Sequence, residues 1–101
     1  MSADRVQVLG KLYERGQGSE LLDLTLEKLF AYKVRSTREQ LGELEQDRAE
    51  FEERYELSSA EFYDRFQTGE AGDKMDYVEW ASLHQMAERL RERIALLEAN
   101  L

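Results

Sequence analysis

Toward its end the sequence keeps one spacing without a break: Trp80, Leu83, Ala87, Leu90, Ile94, Leu97 and Leu101 follow one another at alternating steps of three and four. At 3.6 residues per turn such positions form a single apolar stripe on an α-helix, which must be buried against something. A mate stands upstream. Leu41, Leu44, Phe51 and Tyr55 obey the same alternation, with Arg48 at the one seam position that breaks the apolar series. Two matched stripes on one short chain predict an antiparallel helical hairpin, or intramolecular coiled coil, in an all-α fold. Composition agrees: 36% of residues are charged and there is no proline, the profile of long helices.

The segment between the stripes is punctuated like a fixed turn. Ser58 and Glu61 have the spacing of a capping box, and Leu57 and Phe62 that of a hydrophobic staple. A short cross-over helix is predicted there, with Phe62 and Phe66 on one face and its end near Gly69. The device recurs at Met75–Trp80, with Asp76 as the cap, Glu79 three residues later and Met75 stapling to Trp80. The chain should turn at Gly69–Gly72 and return in a helix of about 24 residues, roughly 36 Å long. Phe51, Phe62, Phe66 and Trp80 are its expected core.

Ser19 before Glu20-Leu21-Leu22-Asp23 reads as an N-cap followed by acid in the first turn, so a helix begins at about residue 20. Ser36-Thr37-Arg38-Glu39 has the form of a second cap, and the helix is open to a break there or a bend at Gly42. In residues 1–18, Val6, Leu9, Leu12 and Tyr13 suit a short helix, whereas Arg5-Val6-Gln7-Val8 alternates like a strand. Gly16-Gln17-Gly18 is a turn in either case. The run Leu21, Leu22, Leu24, Leu26, Leu29, Phe30 is apolar on more than one face, more than a short N-terminal segment can cover. Residues 1–40 are accordingly expected to form a helical dimerisation segment of a homodimer, through Leu22, Leu26, Leu29 and Phe30. Residues 41–101 form the hairpin.

Several function classes fall away. A 101-residue chain buries roughly two-thirds of its unfolded surface, one modest core with little room for an enclosed active site. With no cysteine, disulfides, zinc-thiolate sites and thiol nucleophiles are excluded, and a reducing, cytoplasmic setting is expected. The N-terminus opens no sustained apolar run, so neither a signal peptide nor a membrane span is expected. His84, the only histidine, has no Ser, Cys or second His at a motif spacing and reads as structural. Gly69 and Gly72 follow no strand and precede no Gly-Lys-Ser/Thr, so they make no phosphate loop. Glu50, Glu53, Asp73, Asp76 and Glu79 lack the Glu-x-x-His pairing of a helical di-metal site. No catalytic residue, metal or cofactor is expected.

Charge concentrates in the middle. Residues 43–79 carry four Lys/Arg against thirteen Asp/Glu, a net of −9, while the flanking segments are near neutral. The ordinary reading of such a block is a solvated face; the functional one is a surface that repels nucleic acid and attracts a basic protein. Within it Tyr63 and Tyr77 are less committed to the core than their aromatic neighbours. Aromatic anchors ringed by carboxylates make a landing site, so Tyr63, Asp64, Glu70, Asp73, Asp76, Tyr77 and Glu79 are the expected partner contacts.

The stretches Phe51-Glu52-Glu53-Arg54-Tyr55-Glu56-Leu57-Ser58-Ser59-Ala60-Glu61-Phe62-Tyr63-Asp64-Arg65-Phe66 and Gly69-Glu70-Ala71-Gly72-Asp73-Lys74-Met75-Asp76-Tyr77-Val78-Glu79-Trp80 resemble a family of small prokaryotic antitoxin-like proteins, whose genes sit beside those of small toxins. The resemblance covers residues 51–80 and implies a non-enzymatic protein that binds and silences a toxin partner. Ser19-Glu20-Leu21-Leu22 also looks like the opening of the second helix of a ribbon-helix-helix, which implies DNA contact as the second reading. There, Arg5 and Gln7 would project from one face of a strand, near a basic helix end that carries Lys33 and Arg35. Only eight residues separate Val8 from Gly16 for that fold's first helix. A structural coiled-coil adaptor is the third reading.

Overall fold

The Ser19 hydroxyl accepts a hydrogen bond from the Leu22 amide at 3.1 Å and starts a helix that does not stop until Tyr55. In the computed structural model, which describes residues 2–16 and 19–101, this is the second of four α-helices. They are α1 (Ser2–Glu14), α2 (Glu20–Tyr55), α3 (Ser59–Gln67) and α4 (Met75–Glu98). The all-α architecture is as expected, and α2 packs antiparallel along α4 as the hairpin predicts. Their stripes meet: Phe51, Trp80, Ala87 and Ile94 are buried, and Leu41, Leu44, Tyr55, Leu83, Leu90 and Leu97 are half-buried between the two helices. Leu101 lies past the helix end and is exposed, so the stripe stops at Leu97.

Neither break left open in α2 occurs. Ser36 does not cap a new helix; its hydroxyl donates back to the Lys33 carbonyl at 3.2 Å, and that of Thr37 donates to the same carbonyl at 2.6 Å. Such back-bonding satisfies a hydroxyl inside a helix without ending it. Gly42 is exposed with open space around its Cα, so it costs propensity alone and α2 passes straight through. The boundary expected at residue 40 thus falls inside a continuous helix.

The corner is built largely as its punctuation predicts. α2 ends with Glu56 in the left-handed region, φ 51°, and Ser58 caps α3 by accepting from the Glu61 amide at 3.2 Å. Glu52 of α2 accepts from the Ser59 amide at 2.7 Å, so a second orphan donor at the start of α3 is met from across the turn. Leu57 packs against the buried cluster that contains Phe62. α3 closes in a Schellman arrangement at Gly69, φ 83°, with the Glu70 amide bonded to the Arg65 carbonyl and the Gly69 amide to that of Phe66.

The second cap differs from expectation. α4 begins at Met75, one residue ahead of Asp76, and its N-cap position is Lys74, with no side-chain cap bond. The Asp76 carboxylate is instead drawn across to α2, where Tyr55 Oη and Arg54 Nη1 donate to it. Met75 is exposed and staples nothing. Two donors from a neighbouring helix outcompete the local amides for one carboxylate.

At the other end, residues 2–14 are helix and not strand, which corrects the ribbon-helix-helix alternative: Arg5 and Gln7 no longer share a face. Of the expected Gly16–Gly18 turn, Gly16 has φ 71°, while Gln17 and Gly18 lie outside the described residues. Among the described residues α1 makes no broad packing contact with another helix. Its tie to the rest is Tyr13 Oη, which donates to Asp23 on α2.

The core is small enough for single substitutions to be read cleanly. Trp80→Ala should cost about 3–5 kcal/mol, as for a large buried aromatic, and Ser59→Ala about 1–3 kcal/mol through the donor it strands. Gly69→Ala should cost about 1–2 kcal/mol through the left-handed backbone alone. Urea denaturation followed by far-UV circular dichroism measures all three.

Candidate functional site

The corner is held from inside by Trp80, which is fully buried. Its ring lies parallel to that of Phe62, centroids 3.9 Å apart, with Phe51 and Tyr55 stacked at 5.8 and 5.7 Å. Its indole Nε1 donates to Ser59 Oγ at 2.8 Å, giving the one polar atom of a buried side chain its partner. Ser59 lies at the start of α3 and Trp80 in α4, so this bond and the Phe62 stack pin α3 to α4. Phe66, also expected in the core, is half-buried against Phe62.

On this base sits a depression of about 300 Å³, lined by Tyr55, Phe62, Tyr77 and Trp80, with Arg65 and Glu70 also on its wall. Tyr55 and Tyr77 meet edge to face at 5.3 Å. Lys74 lies over both: its Nζ is 5.2 Å from the Tyr55 ring centroid and 5.7 Å from that of Tyr77. Those distances are within the range of a cation attracted by aromatic faces. Its pKa is raised, first by its interaction with the Tyr55 hydroxyl. Asp76 completes the group, its carboxyl held below the usual range first by the Tyr55 hydroxyl and then by Arg54.

The expected partner contacts do not form one patch. Asp64, Glu70, Asp73 and Glu79 are exposed, with Glu70 on the wall of the depression. Tyr77 and Asp76 are half-buried and already engaged, Tyr77 against Tyr55 and Phe62, and Asp76 with Arg54 and Tyr55. Tyr63 also packs against the Trp80 cluster, but its polar end lies elsewhere: its ring is tilted against that of His84, centroids 4.7 Å apart, and its hydroxyl accepts from Gln85 Nε2 at 2.5 Å. Sequence reasoning missed Lys74. Its signal was there, since Lys74 is the one Lys or Arg between Arg65 and Arg89, set between Asp73 and Asp76.

The remaining candidates fall elsewhere. Leu26 and Phe30 turn toward Tyr13 and Leu101 around a depression of about 430 Å³, Leu22 is half-buried and Leu29 is exposed. Lys33 and Arg35, two residues apart on α2, point to opposite sides of it. Among the described residues no group of three or more His, Asp or Glu could hold a metal ion, and no helix is long and apolar enough to cross a membrane. The chain matches no known family model, no curated protein and no solved structure.

His84 is placed as a structural residue would be. Arg48, the polar interruption of the α2 stripe, has its Nη1 3.2 Å from His84 Nδ1, a contact that needs a neutral ring with Nδ1 as acceptor. Burial, and next the charge of Arg48, hold the His84 pKa below its usual 6.5. The unfolded chain therefore binds this proton first, and the stabilisation, complete above about pH 6.5, is lost as pH falls below it. The single imidazole should titrate below 6.5 by proton NMR. The urea midpoint should drop between about pH 7 and pH 5 by less in His84→Gln than in the parent chain.

Proposed function

We propose that this chain is a cytoplasmic, non-enzymatic protein-binding module of the antitoxin kind: it docks a basic partner protein on the α3–α4 corner and keeps that partner inactive. The observation that carries the reading is Lys74 over the Tyr55 and Tyr77 rings beside Asp76. The chain's own ammonium occupies an aromatic pair backed by a carboxylate, the chemistry by which the corner would take a lysine or arginine from a partner. Exposed Asp64, Glu70, Asp73 and Glu79 would steer such a partner in and set the salt dependence of its capture. The Trp80 framework supplies a preformed surface, so little ordering cost falls on binding. The resemblance of residues 51–80 to antitoxin-like proteins supports the same reading, which also has the chain act as a homodimer through its N-terminal segment.

Co-expression with the product of the neighbouring gene tests this, scored by growth and by co-purification. The expected outcome is a toxic neighbour, rescue, and a stable complex weakened at least about tenfold at low salt by Asp73→Lys with Glu79→Lys. Lys74→Ala should tighten the complex about two- to fivefold by freeing the rings, and Tyr77→Ala should weaken it. A harmless neighbour that fails to co-purify would overturn the antitoxin reading. Loss of affinity in Lys74→Ala would make Lys74 a contact and overturn the cation-acceptor reading.

A further inference from the structure

Arg38 on α2 pairs with Glu98 on the last residue of α4, at 2.7 Å. Residues 20–33 of α2 therefore run past the end of α4, about 21 Å of helix that Tyr13, Asn100 and Leu101 meet on its Leu26 and Phe30 side. A 14-residue helix is marginal in water without packing, and this one exposes apolar surface: Leu21 is 75% exposed, Leu29 56% and Tyr32 60%. Among the described residues α1 does not cover this face: it exposes Val6 and Val8 itself and meets α2 through Tyr13 and Asp23.

The exposed face has its own seam. Leu21, Thr25, Lys28, Tyr32 and Arg35 follow at steps of four and three, all exposed, flanked by Leu29 and the half-buried Leu22. Beyond Arg35 the same series continues as Glu39 and Gly42, so the apolar part is confined to the overhang. Acid stands at its start, Glu20, and base toward its end, Lys28 and Arg35. A parallel pairing of two such helices would set Lys28 against Lys28 on the seam, and Glu20 and Arg35 each against its own kind. An antiparallel pairing about a two-fold axis between residues 26 and 27 sets Leu21 level with Tyr32 and Thr25 level with Lys28, and brings Leu22 within two residues of Leu29 and Glu20 within two residues of Arg35. Each residue then faces one that faces it in return, as a two-fold interface requires.

We propose that this face is the interface of an antiparallel homodimer, with the overhang of a second copy as its occupant. The inference rests on the self-association read above and adds its surface and its direction. With each chain 55 Å long and an overlap of about 21 Å, the dimer is a rod of about 90 Å with one corner at each end.

Because the chain has no cysteine, a single spin label at Gln40→Cys, exposed and outside the seam, reports the direction. Light scattering of the unlabelled chain at tens of micromolar gives its mass. A dimer with a label separation of about 40 Å is the expected result. A dimer with labels within about 20 Å is parallel and overturns the direction while leaving self-association intact; a monomer overturns both. Leu21→Glu with Tyr32→Glu should weaken the dimer about a hundredfold and leave the hairpin's helicity and melting unchanged. A dimer that persists in that variant is built on another surface and overturns the proposal.

Discussion

One buried indole sets the geometry of the corner. Trp80 gives its faces to Phe62, Phe51 and Tyr55 and its nitrogen to Ser59, so a single side chain ties α2, α3 and α4 together. A two-helix hairpin has no third layer, and its stripe alone leaves the helices free to slide by a turn. The stack removes that freedom, because sliding would both open a cavity and strand the indole donor. Tyr55 then carries the constraint outward: its ring packs on the core while its hydroxyl reaches Asp76, at the rim of the candidate site.

The legible part of this fold was the part governed by local or periodic rules. The two stripes gave the hairpin, because residues three and four apart share a face whatever lies opposite. Ser58 and Gly69 gave the limits of α3, because their neighbours along the chain supply their hydrogen-bond partners. Asp76 was misread as a cap because its partners, Arg54 and Tyr55, lie more than twenty residues away and become neighbours only when the hairpin closes. Lys74 escaped for the same reason: nothing local says that two tyrosines from different helices will meet beneath it. Ser36 and Arg5-Val6-Gln7-Val8 were ambiguous patterns. In each the structure takes the helical branch, the one with an unbroken backbone hydrogen-bond series.

α2 does different work along its length. From Arg38 to Tyr55 it is one wall of the hairpin, crossed by Arg38–Glu98, Glu45–Arg91 and Arg54–Asp76. These ion pairs are largely exposed and contribute little stability each, but Arg38–Glu98 and Glu45–Arg91 step by seven residues on both helices and so share one register. From Glu20 to Lys33 the same helix has no such wall, and its apolar residues split between the Tyr13 side, where Leu26 and Phe30 lie, and open solvent, where Leu21, Leu29 and Tyr32 lie. The expected dimer interface put Leu26 and Phe30 together with Leu22 and Leu29. The helical angle separates them.

The separation of the two ends has an energetic consequence. The corner and the overhang share no side chain and lie at opposite ends of a 36-residue helix without a bend, so changes at one should add to changes at the other. A partner bound at the corner, as proposed, would gain no direct contact from the proposed self-association. In the proposed antiparallel dimer the second copy would add a second corner on the same body, and its effect on a partner that is itself oligomeric would be one of effective concentration. That effect depends on whether the partner's own sites can span the rod, a matter of length and direction, which the unbroken helix fixes.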